Sequence, residues 1–179
     1  MALSATIYNL TVGLSDVDRA VYETLQLKVA RHPSESAEYL VTRVLAYCLE
    51  FTEGIRFSRG LSNPDEPVIA VRDLTGVIRA WIEVGSPDAA RLHKASKAAP
   101  RVAVYTHQGA ALRHQLAGEK IHRAEALEIY AFDRELLAGL VARLERRMAF
   151  DLSVTGRHLF LSIGDATLSG EIERIRLEV

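Results

Sequence analysis

A short apolar run, Val102 to Thr106, sits between two helical segments and constrains the fold of this chain more than any other stretch. Ahead of it, Ser86-Pro87-Asp88 opens a helix: a capping serine, proline at the first helical position and an acid in the first turn. That helix ends before Pro100. Behind the run come a helix from His107 to Leu116, a strand from Leu127 to Phe132 and a helix from Asp133 to Arg147. Strands that alternate with helices in this way imply a sheet that is at least partly parallel.

The flanking segments extend the pattern. Ala5 to Gly13 and Val21 to Val29 read as two strands that pair with each other. His32 precedes Pro33, which disfavours helix there. Ser34 caps the next helix, with Glu35 in its first turn, and the helix runs to about Glu50 on a buried face of Leu40, Val41, Val44, Leu45 and Cys48. Gly54 to Pro67 reads as loop. Val68 to Arg72, the turn Asp73-Leu74-Thr75-Gly76, and Val77 to Val84 form a β-hairpin. Met148 to Val154, His158 to Ile163 and Ala166 to Leu177 read as antiparallel strands turning at Gly156 and Gly164. The expected fold is therefore mixed α/β: a mixed sheet flanked by helices, with an added antiparallel C-terminal sheet.

A length of 179 residues suits one domain, residues 1–179. With 22 lysines and arginines against 23 aspartates and glutamates, the net charge of -1 argues against a protein that coats nucleic acid, although a local basic groove is compatible with it. Cys48 is the only cysteine, so neither an internal disulfide nor a thiolate zinc site is available, and its apolar setting reads as core. No segment approaches the roughly 20 apolar residues of a membrane span. The N-terminus shows no basic region followed by an apolar run, and the cytoplasm is the expected location.

Chemistry is concentrated around the hairpin. On its second strand Ile78, Ala80, Ile82 and Val84 share one face, and Arg79, Trp81 and Glu83 the other. Antiparallel pairing places the start of the first strand near the end of the second, so Asp65 or Glu66 is expected to converge with Glu83. Paired carboxylates suit Mg²⁺ or Mn²⁺, which take oxygen ligands and can lower the pKa of a bound water. Arg91, Lys94 and Lys97 form a basic stripe on the following helix, and Lys94 leans back toward the level of Glu83. That stripe also lies largely opposite the apolar face, where solvated charge is normal. Glu35 and Glu38 are candidate further acids, or first-turn residues that favour the helix dipole. His32, in its turn, is either a general base or a loop hydrogen-bonder. The other histidines show no metal-ligand spacing, and no phosphate-binding glycine loop or nucleophile elbow is present.

The order helix, Pro64-Asp65 loop, hairpin, Glu83, helix and strand resembles the α-β-β-α-β core of PD-(D/E)XK nucleases. That resemblance implies Asp65, Glu66 and Glu83 as metal ligands. The motif lysine is replaced by Gly85, so Lys94 or Lys97 would take its role, with Glu38 completing the shell. A second resemblance is closer. Ala5-Thr6-Ile7-Tyr8, Ala30-Arg31-His32-Pro33-Ser34-Glu35, Arg59-Gly60-Leu61, Asp65-Glu66-Pro67, Trp81-Ile82-Glu83-Val84-Gly85 and Pro87-Asp88 are similar, in this order, to the YaeQ family, which implies a nuclease-like fold. Two functions follow as expectations. One is a Mg²⁺- or Mn²⁺-dependent phosphodiesterase acting on nucleic acid. The other is a binding or regulatory protein, with a protein partner, that keeps the fold without the reaction. In a third reading the acids are structural and pair with Arg59, Arg79 or Lys94.

Overall fold

The computed structural model describes residues 4–58, 63 and 65–178. Arg59, Gly60, Leu61 and Pro64, singled out above, lie outside the described residues. In chain order the elements are β1 (Thr6–Asp16), β2 (Val21–Arg31), α1 (Ala37–Leu49), β3 (Ile55–Phe57), β4 (Ile69–Arg72), β5 (Ile78–Val84), α2 (Ala89–Ala98), β6 (Arg101–Thr106), α3 (Gly109–Leu116), β7 (Glu128–Phe132), α4 (Arg134–Ala142), β8 (Arg147–Thr155), β9 (His158–Ile163) and β10 (Ala166–Ile175). The fold is mixed α/β. No helix among the described residues is long and apolar enough to cross a membrane.

The chain divides into two compact units, each made of two stretches. The first comprises Met1–Val44 and Phe132–Glu173. Its strands β1 and β2 pair antiparallel over their full length, as their alternation predicts. Tyr8, Leu10, Val12 and Leu14 fall on one face of β1 and are buried. β8, β9 and β10 form an antiparallel meander with Gly156 and Gly164 in left-handed turns. These strands do not make a separate added sheet: β8 pairs parallel with β1, from Asn9 opposite Arg147 to Asp16 opposite Val154. Strand periodicity cannot report such pairing, because partner choice is settled by packing rather than by local pattern.

The second unit comprises Leu45–Ala131 and Arg174–Val179. β3, β4 and β5 are antiparallel, and β5, β6 and β7 are parallel, so the central apolar run is flanked by parallel neighbours as expected. β3 was hidden inside the stretch read as loop. It has three residues, with Ile55 buried and the chain turning at Gly54 (φ 87°), where a Cβ would meet the carbonyl oxygen of Arg72. The expectation of one core face on β5 also needs correction. Residues Ala80 to Val84 are all buried, so both faces are covered. Trp81 packs in a cluster with Leu92, Ala95, Val102, Val104 and Ile129.

Three helices start two residues later than their patterns suggest, each for a local reason. Ser36, not Ser34, caps α1 by accepting from Tyr39 N, while the Ser34 hydroxyl contacts His32 Nδ1 at 2.6 Å. Asp88 caps α2 by accepting from Arg91 N. α3 begins at Gly109, because Thr106 Oγ1 accepts from Gln108 N and holds a turn first. In the last helix Asp133 is the cap, and α4 ends at Ala142 where the pattern had run on to Arg147, which belongs to β8.

The β4–β5 turn contains a carboxylate whose effect on stability has a defined pH window. Asp73 accepts from the Thr75 hydroxyl, the Thr75 and Val77 backbone N–H groups and Arg79 Nε. The Thr75 hydroxyl first, then the backbone donors and Arg79, lower its pKa from 3.8 to about 2. A lowered folded-state pKa means stabilisation that is present above the unfolded value and lost as pH falls toward the folded one. Asp73→Ala is therefore expected to lower the urea midpoint at neutral pH. The difference from the native protein should shrink as pH falls from about 3.8 toward about 2. A difference that persists unchanged at the acid end would show that the charge of Asp73 is not what matters.

Candidate functional site

The site is built on the C-terminal end of β5 and the first turn of α2. β5 points Trp81 and Glu83 to the same side, two residues apart. The buried indole N–H needs an acceptor, and Glu83 Oε1 provides it at 2.6 Å. Glu83 is itself only 2% exposed. A carboxylate so buried needs a cationic partner with several donors. Arg91, one turn into α2 beyond its Asp88 cap, fills that role. Its Nε donates to Glu83 Oε2 at 2.8 Å and its Nη2 to Glu83 Oε1 at 2.9 Å, a two-pronged pairing.

Arg91 also ties the preceding loop to this centre. Nη2 donates to the carbonyl of Glu66 at 2.8 Å and Nη1 to that of Asn63 at 3.3 Å. The loop before β4 thus does converge with the end of β5, as antiparallel pairing predicts. It converges through main-chain carbonyls on a guanidinium. The Asp65 and Glu66 side chains are exposed, and Asp65 forms an ion pair with Lys94. The Lys94 ammonium beside it lowers the Asp65 pKa. Both partners lie at the surface, where such a pair is screened and adds little to stability.

Of the expected site residues, Asp65, Glu66, Glu83 and Lys94 therefore fall in one neighbourhood, organised by Arg91. Lys97 is exposed in the last turn of α2. Glu38 is an exposed acid in the first turn of α1, in the first unit, and its main-chain carbonyl accepts from the Thr42 hydroxyl. Glu35 sits ahead of that helix, where its Oε1 accepts from His32 N. Arg79, one of the cations considered for the acids, pairs with Asp73. Among the described residues no three His, Cys, Asp or Glu side chains come together as a metal ligand set.

Arg91 was legible only as part of a basic stripe. A sharper signal was available: a helix cap at Asp88 puts Arg91 in the first turn, and helical side chains lean toward the N-terminus, here toward the end of β5. The second unit holds another polar network that the sequence pattern does not announce. Arg101 forks between Glu50, at 2.6 and 2.9 Å, and Glu128, at 2.7 and 3.1 Å. The Tyr105 hydroxyl donates to Glu50 and that of Tyr130 to Glu128. Glu50 follows the C-terminus of α1, where the helix dipole disfavours an acid. That misfit was the sequence clue that a cation waits for it.

The comparisons with known proteins agree with this architecture. The family model described as YaeQ protein matches residues 1–172. The uncharacterized YaeQ protein of Escherichia coli (strain K12) is 36% identical over 164 residues, which cover 90% of this chain and 91% of that protein. Its counterpart in Salmonella typhi is 35% identical, covering 97% and 96%. Among solved structures, the YaeQ protein from Xanthomonas axonopodis pv. citri superimposes with a TM-score of 0.85 at 29% identity, over 98% of this chain and all of that one (100%). The YaeQ protein from Pseudomonas syringae gives 0.85 at 28% identity, over 97% of each chain. The chain belongs to the YaeQ family.

Proposed function

We propose that this is a cytoplasmic binding or regulatory protein that resembles PD-(D/E)XK nucleases in the order of its elements and does not carry out their reaction. The observation behind this reading is the closed state of Glu83. Both oxygens of its buried carboxylate accept from Arg91, and one also accepts from Trp81. These two accepting oxygens suit a guanidinium. A Mg²⁺ or Mn²⁺ ion at the same oxygens would face a fixed positive charge and would need oxygen ligands that Asp65, turned to Lys94, does not add.

The position of the nuclease lysine supports the same reading. Gly85 has φ 91° and donates its N–H to Tyr105 O at 2.9 Å. Side-chain-bearing residues rarely adopt that backbone conformation, so the glycine is built into the strand end. Gly85→Lys is expected to cost about 1–3 kcal/mol through backbone strain and to create no cutting activity.

The deciding experiment is a nuclease assay on DNA and RNA with Mg²⁺ or Mn²⁺, alongside calorimetric metal titration, on the native protein and Glu83→Gln. The expected result is no metal-dependent cutting by either protein, with the substitution visible as lost stability. Clean cutting by the native protein that disappears in a folded Glu83→Gln variant would establish the phosphodiesterase reading, with Asp65, Glu66 and Glu83 around the ion and Lys94 or Lys97 at the reacting water.

A further inference from the structure

A cleft of about 820 Å³ opens in the second unit between the C-terminal half of α3 and the last described residues of the chain. Arg113 and His114 line it from the last turn of α3, and Arg174 and Arg176 from the end of the chain. Ile175 is buried in the core, so alternation sends its two arginine neighbours away from that core. Among the described lining residues Glu178 is the one carboxylate, against three guanidiniums. Ala117 and Gly118 add no bulk beside them. On a chain of net charge -1 this is a local concentration of positive charge.

The dipole of α3 accounts for Arg113 and His114, since cations are favoured at a helix C-terminus. It does not account for Arg174. This guanidinium lies over the Tyr130 ring at 5.3 Å and reaches the Tyr130 hydroxyl at 3.4 Å, while its Nε is buried without a hydrogen-bond partner. A buried donor left unpaired is costly. The stacked ring therefore holds a guanidinium whose donors are not all used, at the wall of a basic cleft.

We propose that this cleft binds the phosphate groups of a small, multiply phosphorylated ligand such as a nucleoside diphosphate. Arginine forks match phosphate oxygens in pairs. The volume falls within the roughly 300–1,000 Å³ of small-molecule sites, whereas a polymer would call for an extended groove. The site is separate from Glu83 and does not depend on whether Glu83 takes part in chemistry.

The test is calorimetry at low salt with pyrophosphate, with ADP and with a single-stranded oligonucleotide. Pyrophosphate and ADP are expected to bind, and Arg113→Glu and Arg176→Glu to weaken each by about tenfold or more, the loss of a charge-assisted hydrogen bond. Both arginines are exposed, so these variants should fold; Arg174→Ala would also disturb Tyr130 and is the less direct probe. Lys97→Glu and Glu83→Gln should leave the affinity unchanged, which lets this proposal and the Glu83 reading fail separately. Absence of binding at millimolar pyrophosphate and ADP, or affinity unchanged in both arginine variants, overturns the proposal. So does an oligonucleotide that binds more tightly than either small ligand with the same arginine dependence, because the site would then be one for nucleic acid.

Discussion

Arg91→Leu is expected to destabilise the protein by about 3–5 kcal/mol, the usual cost of removing one partner from a buried ion pair. The magnitude follows from what is left behind. Glu83 would keep the Trp81 N–H as donor and lose both prongs of the guanidinium, at 3% side-chain exposure. Glu83→Gln should cost less, because Arg91 is 18% exposed and can turn its charge partly toward water. Replacing both, as Glu83→Leu with Arg91→Leu, should recover much of the loss, since apolar residues of similar volume substitute well for buried ion pairs. Urea denaturation of Arg91→Leu, Glu83→Leu and the double variant closes the cycle, and the coupling energy should exceed about 1 kcal/mol. Hydrogen exchange supplies an independent readout. The loop around Asn63 and Glu66, held by Arg91 through two carbonyls, should lose protection in Arg91→Leu. Additive single effects would mean that the two residues do not work as a unit, and would return Glu83 to the list of catalytic candidates.

That centre also shows how far local sequence reaches. The antiparallel hairpin was readable, and the main chain of Asn63 and Glu66 does meet Arg91 beside Glu83. What alternation does not encode is which groups meet there. The loop presents carbonyls rather than carboxylates, because the Asp65 and Glu66 side chains remain in solvent. Whether a charged helix residue faces water or a buried acid depends on where the helix starts. A shift of the cap from Ser86 to Asp88 changes the direction of every side chain behind it by about 100° per residue. Ser-Pro-Asp offers two competent caps, and Asp88 is the one whose oxygen meets the Arg91 N–H. The same ambiguity recurs at Ser34 and Ser36, where neighbouring side chains rather than propensity select the cap. Pairings distant in sequence, such as β1 with β8, leave no trace in the pattern of either strand.

The second large effect is expected at Arg101, where one guanidinium serves two carboxylates. Arg101→Ala should destabilise the protein by about 2–4 kcal/mol, below the full value for a buried pair because the arginine side chain is 38% exposed and its charge is partly screened. Glu50, nearly buried, would retain only the Tyr105 hydroxyl among the donors described for it. Arg101→Lys should not restore the loss, since a single ammonium cannot make two parallel pairs of hydrogen bonds. The pH dependence separates this network from simple packing. Burial alone would raise the pKa of Glu128, but hydrogen bonds from Arg101 and Tyr130 outweigh it and leave the pKa below its usual 4.5. The sign is that of a depressed acid: stabilisation is present above 4.5 and is lost as pH falls through the folded-state value. In Arg101→Ala that part of the acid sensitivity should diminish. At the alkaline end burial, and then the Glu50 charge, hold the Tyr105 pKa well above 10. A raised pKa gives stabilisation that is present below the unfolded value and lost as pH rises through the folded one. Ultraviolet titration of the native protein should therefore show Tyr105 ionising only as the second unit unfolds, with the two transitions coincident. A Tyr105 that ionises near 10 in the folded protein would show that its hydroxyl is not buried against the Glu50 carboxylate as this geometry requires.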